Sequence, residues 1–419
     1  MKALTLLVTK SLREHLLSSM VTILSIGLGC GLTMAVYVVT SQAKDAFTGG
    51  EIGYDAVLGA RGSPLQLVLN TIFHLETSPG NIPWTMYEEL SADPRIALSV
   101  PYAVGDNWRG YRIVGTTPEM FTELEFRSGE NYQPRDGGSR FFLDTNPEAV
   151  IGSRVAQETG LDVGSTFHPY HGIEFDERAK HEEMYTVVGV LAPTNTPSDR
   201  VIWIPIEGIF RLGGHVLRGS GEAYRPQANV EIPDEHKEIS AVMLKFADPK
   251  AGFHLDQQIN KQGKVATLAW PIGASMAQLF QKVGWITRIL ELIAILVVVV
   301  AAGTILASIT NTMRERRREF AILRALGARR STVFSAILAE STTLAGLGAL
   351  VGFGMYLAIL MGAAWAVRAQ TGVVLELDQF HLALIAVPAG VIILGAAAGL
   401  IPARAAYSTD VATNLTAGS

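Results

Sequence analysis

Four stretches of this chain are long and apolar enough to cross a hydrocarbon core, which takes about 20 helical residues. They run near Leu16–Thr40, Ile286–Ile309, Ser341–Trp365 and Leu382–Leu400. The last is short and carries Pro388, which a membrane helix tolerates when neighbouring helices cover the carbonyl that it frees. Such windows leave few folds open. Across all 419 residues, 48% are hydrophobic and 17% are charged, and the mean hydropathy is +0.27. That average is too apolar for an ordinary soluble protein and long enough for several domains.

The first window could be a cleaved signal peptide, but the segment before it, "MKALTLLVTKSLREHLLSS", is long. The apolar run also outlasts a typical signal core of roughly 7–15 residues. Cys30 in "IGLGCGL" resembles a lipoprotein cleavage site only faintly, because Gly27 stands where a leucine is expected and the apolar run continues past the cysteine. An uncleaved anchor is the expectation. Ahead of it, Leu4, Leu7, Val8 and Leu12 at helical spacing, with Lys2, Lys10 and Arg13 interspersed, predict a short amphipathic helix on the inner membrane surface.

Charge sets the topology. Lys2, Lys10 and Arg13 precede the first span and hold the N-terminus in the cytoplasm by the positive-inside bias. The second span returns to the cytoplasm at Arg314, Arg316, Arg317 and Arg318, followed by Arg324, Arg329 and Arg330. The third leads out to a segment with Glu376 and Asp378, and the fourth returns to Arg404. The organisation read from this pattern is a cytoplasmic amphipathic helix (1–15), a first transmembrane helix (16–40) and an extracytoplasmic domain (41–283). A second span (284–309), a cytoplasmic loop and helix (310–334) and a third span (335–366) follow. A short external loop (367–381), a fourth span (382–402) and a cytoplasmic tail (403–419) complete it. Residues 41–283 hold 21 Lys and Arg against 31 Asp and Glu, a net −10, so the overall −5 conceals a +5 remainder. The fold class expected is an α-helical membrane protein with a large α+β domain inserted between spans one and two.

Seven arginines in residues 311–334 invite a nucleic-acid reading. A nucleic-acid site should come with a basic soluble domain and side chains aimed at bases. Here the arginines lie between two apolar windows and the large polar domain is acidic, so nucleic acid is set aside. Some of the arginines act simply as topology determinants beside anionic lipid head groups. That leaves "REFAILRALGARRSTVF", in which Phe320, Ile322, Leu323 and Leu326 precede Gly327, a helix stop. The pattern predicts a short helix across the membrane face, available to a cytoplasmic protein.

"REFAILRALGARRSTV" resembles the cytoplasmic loop of FtsX/MacB-type ABC transporter permeases, and "GLIPARAAYSTDVATNL" resembles the same family's C-terminal motif. "EAVIGSRVAQETGLDVGSTF" and "YTVVGVLAPTNTPSDRVIWIPIEGI" are similar to elements of its external domain. The resemblance covers nearly the whole chain. It implies a homodimer joined to two copies of a separate ABC ATPase, in the inner membrane of a bacterium with both termini cytoplasmic. It also implies that ATP and Mg²⁺ bind the ATPase and that mechanical motion reaches the external domains. The coupling residues it implies here are Arg317, Glu319, Phe320, Leu323, Arg324, Leu326 and Gly327. A periplasmic partner protein and membrane lipid complete the expected partners. Export, extraction and mechanotransmission are the functions implied. A non-transporting regulator of periplasmic partners and a zinc-linked periplasmic component stand as alternatives.

The residues carry no chemistry of their own. There is no G-x-x-x-x-G-K-[ST] phosphate loop, since "KQGKVAT" lacks the earlier glycine and the following Ser or Thr. There is no H-E-x-x-H and no G-x-S-x-G elbow. With Cys30 alone, inside a span, the external domain has neither disulfide nor thiol nucleophile. No enzyme activity is expected. A receptor would continue into a cytoplasmic signalling domain, and a secondary transporter would use repeated, broken spans; neither matches this pattern.

In the external domain, "YRIVGT", "MYTVVGVL", "RVIWIPI" and "ISAVMLKF" read as strands, and "GSRVAQETG" and "TMYEELSADPR" as helices, arranged in two lobes. Residues 63–84 contain an apolar core too short to span, expected as a buried helix rather than a membrane-proximal hairpin. "FHPYHGIEFDERAKHEEMY" places His168, His171 and His181 among carboxylates. These three are candidate zinc or copper ligands, with Glu174 or Asp176 completing the shell; an acidic loop with incidental histidines is the other reading. His215 and His236 are weaker candidates.

Overall fold

The computed structural model describes residues 2–48, 53–144, 146–172, 175–213, 232–375 and 380–407. The chain opens with α1 (Lys2–Glu14) and α2 (Leu16–Thr48). Among the short helices that follow between strands are α3 (Pro64–Thr71), α4 (Trp84–Ser91) and α5 (Ser153–Thr159). The chain then forms α6 (Ile272–Glu315), α7 (Arg317–Ala325), α8 (Arg330–Thr371) and α9 (Ala383–Tyr407). It divides into two units. One is Met1–Ala43 with Val283–Ala366 and Leu375–Ser419; the other is Lys44–Lys282 with Val367–Val374.

In the helical unit, α2, α6, α8 and α9 each contain a window long and apolar enough to cross a membrane. The sequence windows therefore sit inside longer helices. Glycines set how closely these helices approach. A methyl group added at Gly31 would lie 2.7 Å from the Gly352 carbonyl, and one at Gly352 would lie 2.8 Å from Cys30 Cβ. Gly348 faces Ile26, while Gly395 and Gly399 face Ala345 and Ser341. Gly348 and Gly352 of α8 thus let it pack closely on Ile26 and Cys30 of α2, and Gly395 and Gly399 let α9 pack closely on α8. The α1 helix turns Val8 and Ser11 inward and leaves Leu6 exposed.

The second unit is built on one ten-stranded sheet. Its strands are β1 (Ala56–Ala60), β2 (Ile96–Trp108), β3 (Tyr111–Thr116), β4 (Glu148–Ile151) and β5 (Thr166–Phe167). β6 (Tyr170–His171), β7 (Tyr185–Val190), β8 (Val201–Pro205), β9 (Ala241–Phe246) and β10 (Ala266–Ala269) complete it. The order is β10-β1-β9-β2-β3-β8-β4-β7-β5, with β6 paired to β2. All four stretches read as strands are strands, and both stretches read as helices are α4 and α5.

Successive strand residues point to opposite faces, and here both faces are covered. Leu58, Ile113, Ile151, Ile202 and Val242 enter one core. Their neighbours Val57, Val114, Val150, Trp203 and Met243 enter the other. That double burial explains the nearly continuous apolar runs. Residues 63–84 supply α3, whose Leu67 and Val68 are buried, as expected of a core helix.

The two expected lobes are not separate. The strand β2 pairs with β9 through Ile96–Tyr102 and with β3 through Ala103–Trp108, and this joins the two halves into one sheet. A 13-residue strand is what fuses them.

Candidate functional site

The loop between the second and third spans is short and rigidly tied. α6 ends at Glu315, and α7 starts two residues later. It stops where Gly327 adopts φ +97°, a left-handed conformation that glycine takes at a helix C-terminus without penalty. Arg316 at the junction is only 8% exposed; its Nε lies 3.0 Å from Glu319 Oε2 and its Nη1 3.8 Å from Glu340 Oε2. Ser11 Oγ donates to Glu340 Oε1 at 2.7 Å. A buried carboxylate therefore links α1, the start of α7 and α8. Two buried charges need each other, since removing one leaves the other desolvated and uncompensated.

Arg316 fixes which face of α7 looks outward. Glu319, Ile322 and Leu326 are exposed, the last at 80%, and follow one another at i, i+3 and i+7. Ala321 is buried on the opposite side, and Arg324 is half-buried. The side chains of Arg317, Phe320 and Leu323 lie outside the described residues. The sequence reading did not single out Arg316 or Ser11 as structural partners, and Glu340 is more deeply enclosed than a charge reaching for the interface would be.

In the external unit, His171 and His181 come together around a residue that the sequence reading did not include. Asp106 Oδ1 lies 3.4 Å from His171 Nδ1 and 3.3 Å from His181 Nε2. The ligand atoms of all three lie within 4.8 Å of one another. Pairing of β6 with β2 sets Asp106 directly opposite His171, which brings their side chains to one side of the sheet. Just before it, the β2–β3 register shifts between Val104 and Asp106, a bulge of the kind that re-aims a side chain. The turn returns to β6 through a bond from the His181 amide to the Pro169 carbonyl, 2.9 Å long.

His168 is not part of this group. Its Nδ1 is 2.9 Å from the Glu183 carbonyl oxygen, an anchoring contact. The Asp176 carboxylate caps the short 3₁₀ turn at Glu177–Ala179 by accepting from the Arg178 amide. Glu174 and His215 lie outside the described residues. His236 lies beside Glu235, 3.8 Å away, and is outside the cluster. Asp106, 65 positions from His171, carries no local signal; only the long-range pairing of β2 with β6 brings it in.

Asp106 also lines a cavity of about 160 Å³, together with His74, Arg112, Arg200, Gln370 and Thr371. The His74 backbone is left-handed, at φ 53°. Its ring stacks on Tyr102 and meets Trp203 edge-on. Burial holds that imidazole neutral down to about 3, with the Arg112 charge acting in the same direction. Arg112 itself is pulled below its ordinary value by burial.

Four apolar helices with a large mixed sheet inserted after the first define a multi-pass membrane protein carrying a folded polar unit. The family model described as the MacB-like periplasmic core domain matches residues 19–260, and that described as the FtsX-like permease C-terminal matches residues 291–411. The chain belongs to the FtsX/MacB-type family of ABC transporter permeases.

The pyoverdine export ATP-binding/permease protein PvdT of Pseudomonas fluorescens strain Pf0-1 is 27% identical over 384 residues, covering 86% of this chain and 52% of that protein. Its counterpart from Pseudomonas fluorescens strain ATCC BAA-477 / NRRL B-23932 / Pf-5 is 26% identical over 280 residues, covering 64% of this chain and 37% of that protein. The chain thus spans about half or less of these relatives. Among solved structures, the extracellular domain of the noncanonic ABC-type transporter YknZ from Gram-positive bacteria aligns with 51% of this chain and 98% of its own, at 13% identity and a TM-score of 0.29. The periplasmic region of MacB from Actinobacillus actinomycetemcomitans aligns with 55% of this chain and 94% of its own, at 12% identity and a TM-score of 0.33.

Proposed function

We propose that this permease transmits ATP hydrolysis on a separate ATPase to its external unit, and that α7 is where the ATPase docks. The observation that carries this reading is the outward stripe Glu319–Ile322–Leu326 on a short helix whose base is clamped by Arg316 and Glu340. An exposed apolar stripe with a charged flank fits a groove on a partner protein. A clamped base lets a push on that stripe reach α1 and α8 instead of dissipating in a loose loop. The 419 residues contain no phosphate loop, so the reading places ATP and Mg²⁺ outside them.

The remaining parts of the reading follow the same logic. The hydrocarbon-crossing segments are 16–40, 284–309, 335–366 and 382–402, within the four long helices. Both termini and α7 lie in the cytoplasm of a bacterial inner membrane, because the arginines cluster at 311–334 while residues 41–283 carry a net −10. Two copies of the permease work with two ATPases, and the direction is outward, as the names of the pyoverdine export relatives suggest.

The test is co-purification. With the parent chain, the ATPase should remain bound after mild detergent extraction. Leu326→Asp combined with Arg324→Glu should reduce its recovery by about tenfold or more, since central apolar anchors dominate such interfaces. The variant should still insert. Undiminished recovery, or ATP hydrolysis by the purified chain alone, would refute the proposal.

A further inference from the structure

We infer that Asp106, His171 and His181 form a binding site for one divalent transition-metal ion of the zinc class, which fastens His171 and His181 to β2. This goes beyond the coupling role and does not depend on it.

Distance gives the first argument. Zinc sits about 2.0–2.1 Å from imidazole nitrogen and carboxylate oxygen, so two ligand atoms on a tetrahedral ion are separated by about 3.3–3.4 Å. The two separations here are 3.3 and 3.4 Å. The two rings stand nearly perpendicular, at 79°, with centroids 5.8 Å apart, so neither blocks the other's approach to a shared ion.

Protonation gives the second. His181 Nδ1 lies 3.0 Å from the Gly213 carbonyl oxygen, which can only accept, so Nδ1 carries the hydrogen. That leaves Nε2 as the atom that faces Asp106 Oδ1, at 3.3 Å. Both side chains are sealed from water, at 7% and 0% exposure. A metal ion at this point engages both imidazoles aimed at the same oxygen. The Nδ1–H···O=C bond is the outer contact that orients a metal-bound histidine.

Access and selectivity follow from the surroundings. His171 is 61% exposed and gives an ion its way in, while the Asn107 amide donates to the Gly172 carbonyl at 2.8 Å and keeps β6 seated on β2. Two imidazoles and one carboxylate favour zinc and its neighbours over calcium or magnesium, which prefer all-oxygen shells. Three protein ligands leave a fourth position open to water or another donor.

The full chain in detergent should bind Zn²⁺ saturably, one ion per chain by calorimetry, and Co²⁺ should give the visible spectrum of a low-coordinate nitrogen–oxygen site. Asp106→Asn, His171→Ala and His181→Ala should each weaken binding by about tenfold to a hundredfold. His168→Ala should leave the isotherm unchanged. His171→Ala is the decisive variant, because an exposed histidine can be removed without endangering the fold. Equal isotherms for His171→Ala and the parent, or only weak unsaturable binding by the parent, would overturn the assignment. ATPase recovery with His171→Ala should match the parent, which separates this result from the docking test.

Discussion

In the sheet unit, Leu244 and Trp203 are fully buried; in the helical unit, Leu292 and Leu296 of α6 stand outward, at 66% and 59% exposure. The same residue class thus faces opposite ways in two parts of one chain. The sheet unit removes apolar surface from water, and that removal stabilises it. The helical unit hands its apolar surface to lipid, which is as apolar as leucine, so its helices are held by close contact at small residues instead. An apolar run therefore means a packed strand in one half and a lipid-facing stripe in the other.

Matched truncations offer the sharpest way to break this contrast. Leu244→Ala should destabilise the sheet unit by about 2–5 kcal/mol through lost burial and a residual cavity. Leu296→Ala, the same chemical change on the outward face of α6, should cost less than about 0.5 kcal/mol. Thermal unfolding of the full chain in detergent reads both; equal costs would abolish the distinction.

A smaller effect tests the glycine contact. Gly352→Leu puts a side chain where a methyl group alone already meets Cys30 at 2.8 Å, so α2 and α8 must separate. A loss of about 1–3 kcal/mol from the helical unit is expected. Gly354→Leu, on the same helix with no atom within 4 Å of an added methyl, should be tolerated. Similar melting of the two variants would show that helix contact is not what holds this unit.

The last test reads how stability changes with pH in acid, not its value at neutral pH. His74 stays neutral in the folded unit down to about 3, whereas the unfolded chain titrates near 6.5. Between those values the unfolded state takes up a proton that the folded state refuses. The stability tied to His74 is therefore complete above about 6.5 and is lost progressively as pH falls toward 3. His74→Asn, which tolerates left-handed backbone, should flatten this acid slope. An unchanged slope would mean that the ring is not held neutral.

How legible each feature was depended on how local it is. The four windows and the arginine-flanked helix were readable because hydropathy, charge and the stop at Gly327 are properties of short stretches. The pairing that makes one sheet from two expected lobes was not, since nothing in Ile96–Trp108 announces that its two ends have different partners. The histidine site falls between these cases. His171 and His181 stood out by type and proximity, but His168 looked equivalent, and only its contact with the Glu183 carbonyl sets it apart. Asp106 was invisible because a bulge and a distant strand pairing place it.

The long strand β2 has a mechanical consequence. Its two ends pair with different neighbours, β9 along Ile96–Tyr102 and β3 along Ala103–Trp108, so the halves are joined through the covalent backbone where one pairing hands over to the other. A pull on one half therefore reaches the other through that single strand.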